Sequence, residues 1–329
     1  MRSALSGIRS QGLWLSLAVT LWLAWSGDVP AADEPPHFEV PAAAGPSPLI
    51  FLGYGDTRFT QREEVANGPA RRALVEKMAR ENPAAILIGG DLVYQGDTPD
   101  DYEVFKSETA EWTREKIPVF PALGNHEFKG CDARDVTPCL ENWWNTFPAL
   151  SLRPYRWYSV TIGGTLLALI LDSDSALKPG SPQRLWFERQ VTGAGPGIKF
   201  IMVVLHYPPV RDPIYPTAKD EKQIARYFAR KAATLHARVV VVGSHVHNYE
   251  RYYRDGVIYL VSGGGGAKPV PAFRMFGELS RLHTSVNFHY IRFALDGEWL
   301  RGTMVRVDAA QGAGDPWSEP DRFEVKAKN

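Results

Sequence analysis

The chain has 329 residues, with 37 basic and 37 acidic side chains, so its formal charge at pH 7 is zero. A duplex-binding protein needs a basic excess to neutralise phosphates, so a nucleic acid duplex is not an expected partner, although a small nucleotide stays open as a substrate. With 44% hydrophobic residues, the chain can build one large core or two modest domains.

Residues 1–31 read as a signal peptide: Arg2 and Arg9 precede the apolar run GLWLSLAVTLWLAW, and Val29 and Ala31 supply small residues ahead of Ala32. The run is short for a full span, which leaves an uncleaved anchor as the second reading. No later stretch has the length and apolarity of a span, so the mature chain is expected without a stable membrane segment, exported to a periplasmic or secreted location. Residues 32–47 are proline-rich without periodicity and read as a flexible arm. One folded domain is expected over 48–308 and a C-terminal tail over 309–329.

PLIFLGYG (48–55) predicts the first strand, and GPARRALVEKMAR places Leu74, Val75 and Met78 on one helical face. AAILIGG (84–90) is a short apolar run ending in glycines, the pattern of a buried parallel strand. DYEVFKSETAEWTREK reads as helix and IPVFPALG as strand. Segment 128–150 is loop-rich and holds both cysteines, Cys131 and Cys139. Export favours a disulfide between them, contributing roughly 2–3 kcal/mol by chain entropy; two free thiols are the alternative. Trp143, Trp144 and Phe147 read as core rather than as a binding platform. YRWYSVTIGGTLLALILD (155–172) predicts two strands joined at Gly163 and Gly164, and SPQRLWFERQV opens as a helix. IKFIMVVLH (198–206) and ARVVVVGSH (237–245) read as strands with a helical pattern near 220–235 between them. GVIYLVSGGGG adds a strand, and FHYIRFALDGEWLRGTMVRV a hairpin turning at Asp296 and Gly297. The alternation predicts an α/β fold. Tandem strands at 155–171 and 286–307 fit two packed mixed sheets flanked by helices better than one doubly wound sheet.

Polar groups follow the apolar strands in a regular way. Asp56 comes after FLGYG, and Asp91 after ILIGG with Tyr94 three residues on. Asn125, His126 and Glu127 follow VFPALG, His206 follows IMVVL, and His245 and His247 follow VVVVG. Strand carboxyl ends form the crevice of an open α/β sheet, so these groups are expected to converge. A mixed set of oxygen and imidazole ligands suits iron, manganese or zinc better than calcium. The set is too large for one ion, whereas two ions roughly 3.5–4 Å apart, bridged by a carboxylate, would absorb it. Singly, each residue has a plain alternative: a turn cap for Asp56 or Asp91, a satisfied structural histidine for His126 or His206, a surface loop for VHNYER. Their joint placement favours a site. SGGGG is no phosphate loop, because Lys268 precedes Pro269 rather than serine or threonine, and no G-x-S-x-G elbow precedes a helix.

In order, GD (55–56), GGDLVY (89–94), GNHE (124–127), LH (205–206) and GSHVHNYER (243–251) resemble the calcineurin-like metallophosphoesterase superfamily, most of all its purple acid phosphatase branch. The resemblance implies a double β-sandwich with helices outside, a catalytic domain over 48–308, and a two-metal site at the sandwich edge. Asp56, Tyr94 (as phenolate) and His247 would hold the first metal, with Asp91 bridging. Asn125, His206 and His245 would hold the second. His126 would stand outside the ligand set, beside the leaving group. The implied cofactor is a pair of divalent or trivalent cations, iron with a second iron, zinc or manganese. The implied activity is hydrolysis of a small phosphate monoester by metal-bound hydroxide, with His126 giving a proton to the leaving oxygen. A phosphodiesterase or nucleotidase is the second reading and a non-catalytic binding module the third. Two positions depart from the family. Arg58 stands where many members carry histidine and purple enzymes glycine. It cannot ligate a cation and is expected to meet phosphate oxygens or pair with a carboxylate. Ser244 separates Gly243 from His245.

Overall fold

Burial on both faces of the central strands sets the layers of this fold, described by a computed structural model over residues 34–42, 45, 48–212, 215, 220–271, 288–307 and 316–328. The chain divides into Met1–Glu34 and Pro35–Asn329, and every element below belongs to the second unit. The expected signal peptide, 1–31, lies outside the described residues.

Two sheets form, with strands numbered in chain order. The six-stranded sheet runs β13 (Trp317–Lys326), β12 (Trp299–Val307), β11 (Phe288–Asp296), β2 (Leu49–Tyr54), β3 (Ile86–Ile88), β4 (Val119–Pro121). The seven-stranded sheet runs β1 (His37–Val40), β5 (Tyr158–Ile162), β6 (Leu166–Ile170), β7 (Phe200–Val204), β8 (Arg238–Gly243), β10 (Val257–Ser262), β9 (Tyr249–Arg254). β2, β3 and β4 are mutually parallel, as are β6, β7, β8 and β10, so each set opens its carboxyl ends at one edge. Helix α1 (Gly68–Arg80) packs on β11 and β12. The side chain of Asn67 caps it by accepting from the Ala70 N–H at 2.9 Å. Helices α2 (Pro99–Glu108), α3 (Ala110–Arg114) and α4 (Thr137–Thr146) occupy the connections from β3 to β5. Helices α5 (Pro182–Gly193) and α6 (Lys222–Lys231) follow β6 and β7.

The period of two along β6, β7 and β8 divides their side chains between two cores. Ala168, Ile170, Met202, Val204, Val240 and Val242 join Phe51, Ile88 and Tyr290 of the other sheet. Their neighbours Leu167, Leu169, Ile201, Val203, Val239 and Val241 join Trp186 and Phe187 of α5 and Ile224 and Phe228 of α6. The sheets therefore pack face to face with helices outside, as expected. Each large apolar side chain so buried contributes about 1.5–3 kcal/mol. Trp143 and Phe147 are core residues, while Trp144 is only partly buried and lies under Arg153.

Three expectations are corrected. The arm over 32–47 is not loose throughout: His37–Val40 pairs in parallel with Ser159–Ile162, held by main-chain hydrogen bonds and by the burial of Val40. The tail over 309–329 contains β13, which pairs with β12 and buries Phe323 beneath Phe293. The alternative of a surface loop for VHNYER fails at its end, where Tyr249–Arg254 is the antiparallel partner of β10. The hairpin from β11 to β12 turns at Gly297 and Glu298, with Asp296 still paired to Trp299. Among the described residues, no helix is long and apolar enough to cross a membrane.

Candidate metal centre

The loops leaving β2, β3, β4, β7 and β8 meet at one edge, tied together by their backbones. The Asp56 N–H donates to Gly90 O at 3.0 Å, the Arg58 N–H to Asp91 O at 3.0 Å, and the Ser244 N–H to His206 O at 2.9 Å. Asp56, Arg58, Asp91 and His245 adopt positive φ of 55°, 46°, 52° and 66°. Left-handed backbone at four non-glycine positions costs about 1 kcal/mol or more each and is characteristic of functional sites. The glycine run at 263–266 serves close approach: a Cβ on Gly263 would stand 2.6 Å from Asp56 Oδ2.

Asp56, Asp91 and His247 present ligand atoms that all lie within 4.8 Å of one another. His247 Nδ1 is 2.8 Å from Lys268 O. A carbonyl only accepts, so Nδ1 carries a proton, and a neutral ring turns its Nε2 lone pair toward Asp56 Oδ1, 3.5 Å away. Both Asp56 oxygens and Asp91 Oδ2 are buried without a hydrogen-bond partner. Three donor-free carboxylate oxygens at one place are costly unless a cation sits among them. Burial opposes protonation of His247, but the Asp56 carboxylate outweighs it and lifts the His247 pKa above its usual value, so this field draws in positive charge.

The other face of Asp91 meets a second convergence. His206 Nδ1 lies 3.0 Å from Gly89 O and donates to it, leaving the Nε2 of a neutral ring with a lone pair. That nitrogen is 3.2 Å from Asp91 Oδ1, 3.1 Å from Asn125 Oδ1 and 3.2 Å from His245 Nδ1. Burial, with His206 alongside, pushes the His245 pKa down to about 4, so its ring is neutral at pH 7 and its nitrogen available. Burial raises the Asp91 carboxyl, but His206, His126, Arg58 and the His126 N–H together bring it below the usual range.

His126 and Arg58 form a pair beside this centre. His126 Nδ1 is 2.5 Å from Tyr94 O, and Arg58 Nη2 is 2.9 Å from His126 Nε2. The guanidinium only donates, so Nε2 accepts and the ring is neutral with its proton on Nδ1. Burial lowers the His126 pKa, and Arg58 adds to that lowering while Asp91 opposes it. Arg58 Nη2 also lies 3.6 Å from Asp91 Oδ2. The Tyr94 ring has Lys129 Nζ 3.7 Å from its centroid, Arg62 at 5.0 Å and the His126 ring at 5.4 Å. The Lys129 ammonium beside it lowers the phenol pKa.

Three residues carry more of the site than sequence reasoning assigns them. Glu127, a polar residue next to His126 in sequence, holds Asp91 instead. Its Oε2 accepts from the N–H of Asp91 at 3.0 Å and of Gly124 at 2.6 Å, and its Oε1 from Leu92 at 2.7 Å and Val93 at 3.3 Å. Burial and Asp91 work to raise the Glu127 pKa, yet all four neighbours donate and none can accept a carboxyl proton, so this geometry holds the ionised form. Its nearness to His126 in sequence hid a partner 36 residues away. Ser244 donates to Ser262 O at 3.2 Å, and its Oγ fills the space where a Cβ on Gly55 or Gly89 would come within 2.1 or 2.2 Å. The extra residue after Gly243 therefore plugs the floor under the loops of Asp56 and Asp91. Tyr207, unremarked beside His206, packs against His245 at 4.5 Å and His206 at 5.2 Å between ring centroids. Cys131 and Cys139 are joined as a disulfide.

The calcineurin-like phosphoesterase profile matches residues 51–249, a segment that contains Asp56, Asp91, Asn125, His126, His206, His245 and His247. No curated protein matches the chain. Among solved structures, it is similar to the purple acid phosphatase PPD1 of yellow lupin (Lupinus luteus) seeds, with 16% identity and TM-score 0.66, over 86% of this chain and 55% of that one. GAP50, the anchor in the inner membrane complex of Plasmodium, is similar at 14% identity and TM-score 0.60, over 86% of this chain and 90% of that one. A dimetal phosphatase of Danio rerio is similar at 13% identity and TM-score 0.53, over 85% of this chain and 100% of that one. At these identities the likeness to solved structures shows the fold alone, and this chain spans little more than half of the lupin one. The match over 51–249, more than half of the chain, makes it a member of the calcineurin-like phosphoesterase family.

Proposed function

We propose that the protein hydrolyses small phosphate monoesters at a pair of cations, one held by Asp56, Asp91 and His247 and the other by Asp91, Asn125, His206 and His245. The observation that carries this reading is the set of buried carboxylate oxygens without donors on Asp56 and Asp91, facing imidazole nitrogens whose far sides are fixed to Lys268 O and Gly89 O. Bound cations would neutralise the ester and lower the pKa of a water that attacks phosphorus. The chain's own groups do the rest. Asp91 divides its two oxygens between the two groups. On substrate binding, Arg58 would exchange its His126 contact for a phosphoryl oxygen, and the freed His126 Nε2 would take up a proton from solvent before giving it to the leaving oxygen, Nδ1–H staying on Tyr94 O. Tyr94 would have to give up Lys129 to reach the first cation. A visible charge-transfer band from bound Fe(III) would mark that exchange, and its absence would point to zinc, manganese or reduced iron. The fold also serves a protein described as an anchor, so the donor set, and not the fold, supports catalysis.

The test is metal quantification on the purified protein, paired with a panel of aryl monoesters, diesters and nucleotides. The wild type should retain metal and turn over monoesters best, and Asp91→Ala should lose metal and activity together. Metal-free wild type, or full activity in Asp91→Ala, would overturn the proposal. A preference for diesters or nucleotides would favour the second reading of the same site. We also propose export, supported by the Cys131–Cys139 disulfide and the apolar leader. Cell fractionation that finds the protein only with reduced cytosolic proteins would contradict it.

A further inference from the structure

We infer that Arg58 is a built-in competitor of one cation: its fixed positive charge weakens the Asp56/Asp91/His247 position selectively, so the two cations bind with unequal affinity. The inference rests on the metal-dependent reading above and deepens it.

Its basis is where the guanidinium stands and how firmly it is held. Arg58 Nη2 is 3.6 Å from Asp91 Oδ2, one of the donor-free oxygens of that position, and the side chain is only 16% exposed. The contact is too long for a hydrogen bond, so Asp91 Oδ2 stays open to a cation, which must then sit beside the guanidinium. Movement away is restricted at both ends. At the backbone, the Arg58 N–H donates to Asp91 O at 3.0 Å, and its carbonyl accepts from Arg71 Nη1 at 2.9 Å. Arg71 is itself buried and doubly bonded to Glu108, at 2.8 and 2.7 Å. At the tip, Nη2 is bonded to His126, whose other nitrogen is fixed to Tyr94 O.

Like charges a few ångströms apart repel far more strongly in a poorly solvated pocket than in water. The Asp91/Asn125/His206/His245 position lies at the other carboxylate oxygen, Oδ1, and is less affected. Among the described residues, no further histidine, cysteine, aspartate or glutamate joins the Asp56/Asp91/His247 group, and Lys129 Nζ stands over the Tyr94 ring, 3.7 Å from its centroid. Arginine at this position thus places a positive charge where a ligand would place a lone pair.

The experiment is a calorimetric Mn²⁺ titration of chelator-stripped, full-length protein. It compares wild type with the neutral variants Arg58→Met and Arg58→Gln and with Arg58→Lys, each checked for an unchanged circular dichroism spectrum. Wild type should show two unequal steps. The neutral variants should tighten the weaker step at least tenfold and leave the stronger within about threefold, and Arg58→Lys should resemble wild type. Two keeps the inference falsifiable if one neutral variant fails to fold. Two wild-type steps that neither neutral variant tightens would overturn the inference and leave the metal-dependent reading standing. A wild type that binds no Mn²⁺ would remove both.

Discussion

Asp91 sits between the two groups of candidate ligands. Its Oδ1 accepts the His126 N–H at 2.9 Å and faces His206, while its Oδ2 faces Arg58. Its position depends on Glu127, which gathers four N–H groups from the loops after β3 and β4. Glu127→Gln would turn one acceptor into a donor aimed at other donors. It should cost about 2–4 kcal/mol in chemical denaturation and speed metal release while the fold persists; a change below about 0.5 kcal/mol would show that the loops hold without it. His245 gives a pH signature. Its pKa is near 4 in the folded metal-free protein and near 6.5 when unfolded, so below pH 6.5 the unfolded chain takes up a proton that the buried ring does not. Its contribution to stability is therefore complete above pH 6.5 and lost as pH falls to about 4, by at most about 3 kcal/mol. His247, shifted the opposite way, partly offsets that loss. Urea melts of chelated protein between pH 4 and 7 should show a steeper decline in wild type than in His245→Asn, and parallel profiles would refute the assignment.

At the scale of elements, apolar strands announce themselves in the sequence, the edge strand β4 among them, and polar edge strands do not. LLALI, FIMVV and VVVV are apolar on both faces because both faces are covered, and the groups at their carboxyl ends could be placed from that alone. The missed strands β1, β9 and β13 are edges of their sheets. HFEV, YERYYR and WSEPDRFEVK owe their conformation to partners far away in sequence, not to an apolar pattern. The same limit hid Glu127 and Ser244, whose partners are fixed only when distant loops meet. Edges β9 and β13 are joined through Asp321, which accepts from Arg251 Nε at 2.7 Å, Arg251 Nη2 at 2.9 Å and Tyr249 OH at 2.7 Å. Asp321→Ala should lower stability by about 2–4 kcal/mol, because it leaves a partly buried guanidinium and a buried phenol unpaired. It should leave metal content unchanged, since none of these three hydrogen bonds involves a candidate ligand. A loss of bound metal at unchanged fold would contradict that separation.

Across the whole molecule, two sheets with different strand orders bring their parallel carboxyl ends to one edge, the six-stranded sheet supplying Asp56, Asp91 and Asn125 and the seven-stranded sheet His206, His245 and His247. Neither sheet alone carries all six groups, so they meet only when both are packed. The order of the motifs along the chain conveyed that convergence; the tautomers, the Arg58–His126 contact and the Lys129 contact of Tyr94 needed coordinates. The central claim is that the donor-free oxygens of Asp56 and Asp91 surround cations. Anomalous diffraction from crystals of the protein soaked in Mn²⁺ tests it most directly. The account predicts a peak in ligand contact with Asp56, Asp91 and His247 and a second in contact with Asp91, Asn125, His206 and His245, the first weaker at low Mn²⁺. Ordered electron density for these side chains with no anomalous peak touching either oxygen of Asp91 would contradict it.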